Sequence, residues 1–141
     1  MAQFKFEDYS ADVLAAMGAK SQAVLEECSA ELESQTKRNS RVDTGNTKNS
    51  FQHKVTGSMM AGQYVAHVGS SEENAIWEEF GTGEYALNGD GRKGGWVYKD
   101  DKGEFHFTFG KTPLRPFFTA MTKLKPKLEK MAAQKLKGKL K

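Results

Sequence analysis

Val42-Asp43-Thr44-Gly45 carries the spelling of the catalytic triplet of aspartic proteases, and a chain of 141 residues could give one carboxylate to a dimeric dyad. That chemistry needs two aspartates sharing a proton in a dry, apolar setting, which drives their pKa values apart. Arg41 before the triplet and Asn46, Lys48, Asn49 and Ser50 after it make the setting wet. Asp43 to Asn46 therefore reads as a turn: an aspartate side chain bonds its own backbone two residues on, and Gly and Asn tolerate positive φ. A dimeric aspartic-protease-like enzyme acting through Asp43 is a remote alternative.

Gly89, Gly91 and Gly94 match a G-x-G-x-x-G spelling. Holding a pyrophosphate that way requires a strand before the glycines and a helix N-terminus after them, and neither flank fits. Asn88, Asp90 and Gly91 fall at calcium-loop positions, yet Ala86 and Val97 occupy the first and last ligand places, so two ligands are missing. His53, His67 and His106 each fall in a different strand, without the close pairing of a helix-borne zinc motif. No serine lies in a nucleophile elbow. The aromatic residues Trp96, Tyr98, Phe105, Phe107 and Phe109 could stack bases, but only Lys99, Lys102 and Lys111 flank them, and they read better as one half-buried face of a hairpin. The sequence points to no catalytic residue, cofactor or metal.

The elements that would position these residues follow from periodicity. Val13, Leu14, Met17, Val24, Leu25, Cys28 and Leu32 form a helical stripe from Ser10 to about Ser40, with Ser10 as N-cap and Asp12 in the first turn. Phe51, His53 and Val55 alternate, as do Tyr64, Ala66 and Val68, predicting two strands of a hairpin. Asn74 to Phe80 suits a short helix capped by Ser70-Ser71. Gly81 to Gly95 has six glycines in fifteen residues, a large ordering cost that predicts a mobile loop anchored through Tyr85 and Leu87 against a neighbour. A second hairpin spans Trp96 to Phe109. Pro116 then suits the first turn of a helix, whose stripe is Phe117, Met121, Leu124, Leu128 and Met131 and which Pro126 should kink or interrupt.

The expected fold is α+β: a long N-terminal helix and a C-terminal helix packed on an antiparallel sheet of about four strands. At 15.7 kDa the chain is one domain long, with a core from about residue 10 to 131 and a basic tail over 132–141. No stretch approaches a membrane span and Met1 to Ser10 lacks a signal-peptide run, so the expected site of synthesis and assembly is the cytoplasm. Cys28, the single cysteine, excludes a disulfide framework and a cysteine-rich zinc site. The net charge of +3 divides unevenly: residues 111–141 hold ten basic residues and one acid, Glu129, leaving −6 on the rest. Lys123, Lys127, Lys130, Lys135 and Lys137 form a basic face, suited to non-specific contact with DNA or to an acidic neighbour.

Four segments in order carry a family resemblance. They are Val42-Asp43-Thr44-Gly45-Asn46-Thr47-Lys48-Asn49-Ser50; Val68-Gly69-Ser70 leading to Ala75-Ile76-Trp77-Glu78-Glu79-Phe80-Gly81-Thr82-Gly83; Gly95-Trp96-Val97-Tyr98; and Pro113-Leu114-Arg115-Pro116-Phe117-Phe118. Together they resemble the neck and tail-completion family of tailed bacteriophages, whose members are described as head-tail joining or minor tail components. The resemblance spans about Val42 to Met121; it departs at Thr47, where the family places an aliphatic residue, and at Pro126. It implies a structural virion subunit that joins head and tail, a ring of identical copies around the DNA channel, neighbouring neck or tail proteins as partners, and assembly in the host cytoplasm. Trp77, Phe80, Tyr85 and Leu87 are the candidate partner contacts. A nucleic-acid-binding protein using the lysine-rich C-terminal helix is the alternative.

Overall fold

The computed structural model describes residues 5–42, 45–58, 60 and 62–137; Asp43 and Thr44, the first half of the expected turn, lie outside these residues. The elements run α1 (Ser10–Asn39), α2 (Asn46–Ser50), β1 (Phe51–Ser58), β2 (Gln63–Ser70), α3 (Glu73–Phe80), a 3₁₀ turn (Gly83–Tyr85), β3 (Trp96–Lys99), β4 (Phe105–Thr108) and α4 (Pro116–Lys137). The fold is α+β as expected. The strands, however, form two separate two-stranded antiparallel sheets, β1-β2 and β3-β4, in place of one four-stranded sheet.

α1 and α4 pack antiparallel. Asn39 near the end of α1 donates to the Pro116 carbonyl at the start of α4 (3.2 Å), and Glu27, near the middle of α1, pairs with Lys135 at the far end of α4. Leu32, Ala120 and Leu124 make the centre of the core, with Val68, Phe117 and Leu128 against them. Phe51 is buried and His53 and Val55 half-buried, while Gln52, Lys54 and Thr56 are exposed, so the alternation in β1 is realised. Pairing His53 with Val68 and Val55 with Ala66 then puts the expected apolar residues of both strands on the face toward α1.

The buried side of α1 differs from the apolar stripe. Gly18, Ser29, Gln35 and Thr36 are buried beside Val24 and Leu32, whereas Val13, Leu14 and Met17 are exposed. The hydroxyls of Ser29, Thr36 and Ser40 can sit inside because each donates to the carbonyl four residues back, at 2.6, 2.8 and 2.8 Å. At 1.5 Å per residue α1 is roughly 12 Å longer than α4, so its first turns extend beyond the helix that would cover them. Ser10 is the first helical residue, not the cap; Asp8 Oδ1 accepts its N–H instead (2.9 Å).

Two expectations about α4 change. The helix runs through Pro126 without interruption, and it continues to Lys137, so a boundary at 131 falls within it. Ala132 and Leu136 there line a shallow pocket with Val24 and Leu25 of α1.

Candidate interaction surface

Two buried or half-buried carboxylates of α3 hold the start of α4. Glu78 is only 4% exposed. Its backbone carbonyl accepts the N–H groups of Leu114 and Arg115 (2.9 and 3.1 Å), and its carboxylate pairs with Lys111 Nζ and lies 3.8 Å from Arg41. Glu79 accepts the N–H groups of Phe117 and Phe118, both at 3.0 Å, filling the place of a helix cap where the α4 dipole is positive. Arg115, between the two, is the one non-glycine residue with positive φ (56°) among those described. A left-handed residue costs about 1–2 kcal/mol; the hydrogen bond to Glu78 and the Arg115 guanidinium stacked 3.7 Å from the Phe118 ring offset that cost. α3 itself begins after Glu72, whose N–H is accepted by Ser70 Oγ (3.0 Å); the cap position falls on Glu72, immediately after the expected Ser70-Ser71 pair.

Residues 81–95 are folded onto their own chain, contrary to the expected mobile loop. Thr82 and Lys111 exchange two hydrogen bonds, Thr82 N–H to the Lys111 carbonyl (2.9 Å) and Lys111 N–H to Thr82 Oγ1 (2.8 Å). Glu84 N–H donates to Phe109, Leu87 N–H to Phe80, and Gly94 N–H to Glu84 Oε1. The glycines permit this packing. At Gly83 (φ 61°) a Cβ would sit 2.2 Å from the Phe109 carbonyl oxygen, so the backbones can approach only because no side chain stands between them. The ordering entropy is offset by main-chain bonds, which composition does not reveal.

The β3-β4 register decides what the hairpin presents. Val97 pairs with Phe107 and Lys99 with Phe105, while Trp96 pairs with Thr108 and Tyr98 with His106. Directly paired residues share a face, so the aromatic residues divide: Phe105 and Phe107 lie on one side, Trp96 and Tyr98 on the other. The phenylalanine side is not the half-buried face expected, whereas on the other side Trp96 and its pair partner Thr108 are half-buried. Phe105 is 73% and Phe107 59% exposed, Val97 61% and Phe109 46%. The Phe107 and Phe109 rings meet edge to face at 5.1 Å.

On the other side of α3, Phe51, Val68, Ile76, Phe80, Phe118 and Met121 line an apolar groove of about 590 Å³, edged by Glu72, Glu73 and Arg115. Of the four candidate contacts, Phe80 is in this groove; Trp77 lines a separate cleft with Trp96 and Arg92; Tyr85 and Leu87 are half exposed on the folded loop. The sequence reading missed Ile76, Phe118 and Met121 as surface residues. Ile76 and Met121 stood at helical apolar spacing, which signalled core, while Phe118 lay outside the stripe; only the packing leaves all three open.

The histidines are not gathered. His53 faces α1, its Nδ1 on Glu33 and its Nε2 3.0 Å from Glu26 Oε2. His67 is exposed opposite Lys54, and His106 is on the second hairpin. The one trio of potential metal ligands found among the described residues is Asp100, Glu104 and His106. There Asp100 is engaged in the turn, accepting from His106 Nε2 (2.8 Å) and from the N–H groups of Lys102 and Glu104. These bonds hold the Asp100 carboxyl below its ordinary pKa, the one from His106 most. The basic face is partly neutralised within the chain, since Lys127 pairs with Glu31 (3.3 Å) and Lys135 with Glu27. Lys123, Lys130 and Lys137 remain exposed. The acidic and basic halves thus meet first along α1 and α4 of one chain.

No described helix is long and apolar enough to cross a membrane. No protein-family model, curated protein or solved structure matches this chain.

Proposed function

We propose that the chain is a structural subunit of a tailed-phage particle, a neck or tail-completion protein that joins head to tail as a ring of identical copies around the DNA channel. The observation that supports it best is the amount of apolar side chain left uncovered in three separate places: the β3-β4 hairpin, the groove beside α3, and Val13, Leu14 and Met17 at the start of α1. Large exposed apolar patches mark association surfaces. A subunit touching neighbours on several sides needs more than one of them, and two of the three fall in the segments that resemble the family. In this reading neighbouring neck or tail proteins cover part of this surface, the protein resides in the virion after assembly in the host cytoplasm, and Lys123, Lys130 and Lys137 give at most non-specific attraction to packaged DNA. Their partly neutralised helix is a small platform for the alternative, a dedicated nucleic-acid-binding protein.

Deleting the gene in its phage tests the proposal. DNA-filled heads and separate tails are expected, with the protein present in wild-type particles by mass spectrometry. Normally joined, infectious particles from the deletion would refute it.

A further inference from the structure

One hairpin face and one groove are both apolar and uncovered, and each has a charged side chain of opposite sign beside it. Val97, Phe105, Phe107 and Phe109 leave roughly 400 Å² of side chain uncovered at about 200 Å² for each phenylalanine, about half of what one partner contributes to a standard interface. The face projects from the domain on a two-stranded ribbon and is edged by Lys99, whose Nζ lies 5.6 Å from the Phe105 ring centroid. The groove is concave and apolar, and Glu72, Glu73 and Arg115 stand on its rim, the Arg115 guanidinium lying over the Phe118 ring. Lys99 beside the apolar projection is thus a counterpart for Glu72 and Glu73 beside the apolar recess, while Asp100 in the same turn is engaged by His106.

We infer that the β3-β4 hairpin of one copy inserts its Val97, Phe105 and Phe107 face into the groove between α3 and α4 of the next copy, with Lys99 against Glu72 and Glu73. The occupant is a second copy of this chain. Because projection and recess are different surfaces, the contact is heterologous, and repeating it closes a ring or grows a filament. The contact deepens the ring reading above and rests on it for its biological setting, although it is testable on the protein alone.

The test places a photocrosslinker by Phe107→p-benzoylphenylalanine in the full chain and irradiates an equal mixture of isotopically labelled and unlabelled protein. Mixed-isotope adducts on peptides containing Ile76 and Phe80, or Phe118 and Met121, are expected. Phe107→Ser should weaken self-association by roughly tenfold or more while the chain stays folded by circular dichroism, because most of the residue is uncovered in the single chain and its one ring partner is Phe109. As a second measurement, Lys99→Glu and Glu73→Lys should each weaken association and their combination restore it. Adducts on Val13 to Met17, an oligomer indifferent to Phe107→Ser, or a monomer at every concentration tested would each overturn the contact. Self-association through this contact by a protein missing from particles would refute the phage reading alone; a particle protein whose adducts lie elsewhere would refute the contact alone.

Discussion

His53 ties β1 to α1 through both ring nitrogens, and its replacement should destabilise the fold in a pH-dependent way. Nδ1 engages Glu33, which also binds Lys37, and Nε2 lies 3.0 Å from Glu26. With a carboxylate on each nitrogen the imidazolium is favoured, and the hydrogen bond to Glu33 is the main cause of a His53 pKa above its ordinary value, opposed by burial. At Glu33 burial pushes the pKa up, but the hydrogen bonds from Lys37 and His53 together hold it below the usual carboxylate range. A charge-assisted hydrogen bond at a part-buried site contributes about 1.5–3 kcal/mol; the Glu26 contact is half exposed and adds about 0.5 kcal/mol. Since Glu33 keeps Lys37, His53→Gln should cost about 2 kcal/mol near pH 6. The His53 term is fully present below its unfolded pKa of about 6.5 and lost as pH rises through the higher folded value. The Glu33 term is present above about 4.3 and lost as pH falls through its lower folded value. The clamp is therefore strongest between roughly pH 4.3 and 6.5. Urea denaturation of both proteins at pH 6 and 8.5 measures it: the stability difference should fall to less than about 1 kcal/mol at the higher pH. An equal difference at both values, or a larger one at pH 8.5, would refute the charged clamp.

Glu79→Ala removes the acceptor for two N–H groups at the start of α4 and should lower stability by about 1–2 kcal/mol in denaturant titration, while Glu79→Gln should recover part of it. Gly83→Ala places a methyl group 2.2 Å from the Phe109 carbonyl oxygen at positive φ and should cost about 2 kcal/mol or more, with raised hydrogen exchange over residues 82–95 as the local readout. Truncation after Met131 deletes the Lys135 pair and the Ala132 and Leu136 contacts yet spares Leu32, Ala120 and Leu124. A folded chain about 1–2 kcal/mol less stable by thermal or urea unfolding is expected; an unfolded circular dichroism spectrum would show the last turns of α4 to be part of the core.

Periodicity alone located α1, the β1-β2 hairpin, α3, the β3-β4 hairpin and α4, because a helix or strand that buries one face must repeat its apolar residues at that element's own period. Composition also located the charge split and the glycine-rich segment. It could not say what each face meets. Val13, Leu14 and Met17 have the spacing of core residues and are exposed, since burial depends on whether α4 reaches that far. Ser29 and Thr36 look polar and are buried, because a helix supplies carbonyls four residues back to accept their hydroxyls. The partition of the hairpin aromatics into opposite faces depended on strand register, and the folding of residues 81–95 on long-range main-chain bonds to Phe80, Phe109 and Lys111. Local sequence sets which conformations are cheap; which surfaces end in contact is decided by tertiary pairing, and so the exposed hairpin face and its apolar groove became visible only in three dimensions.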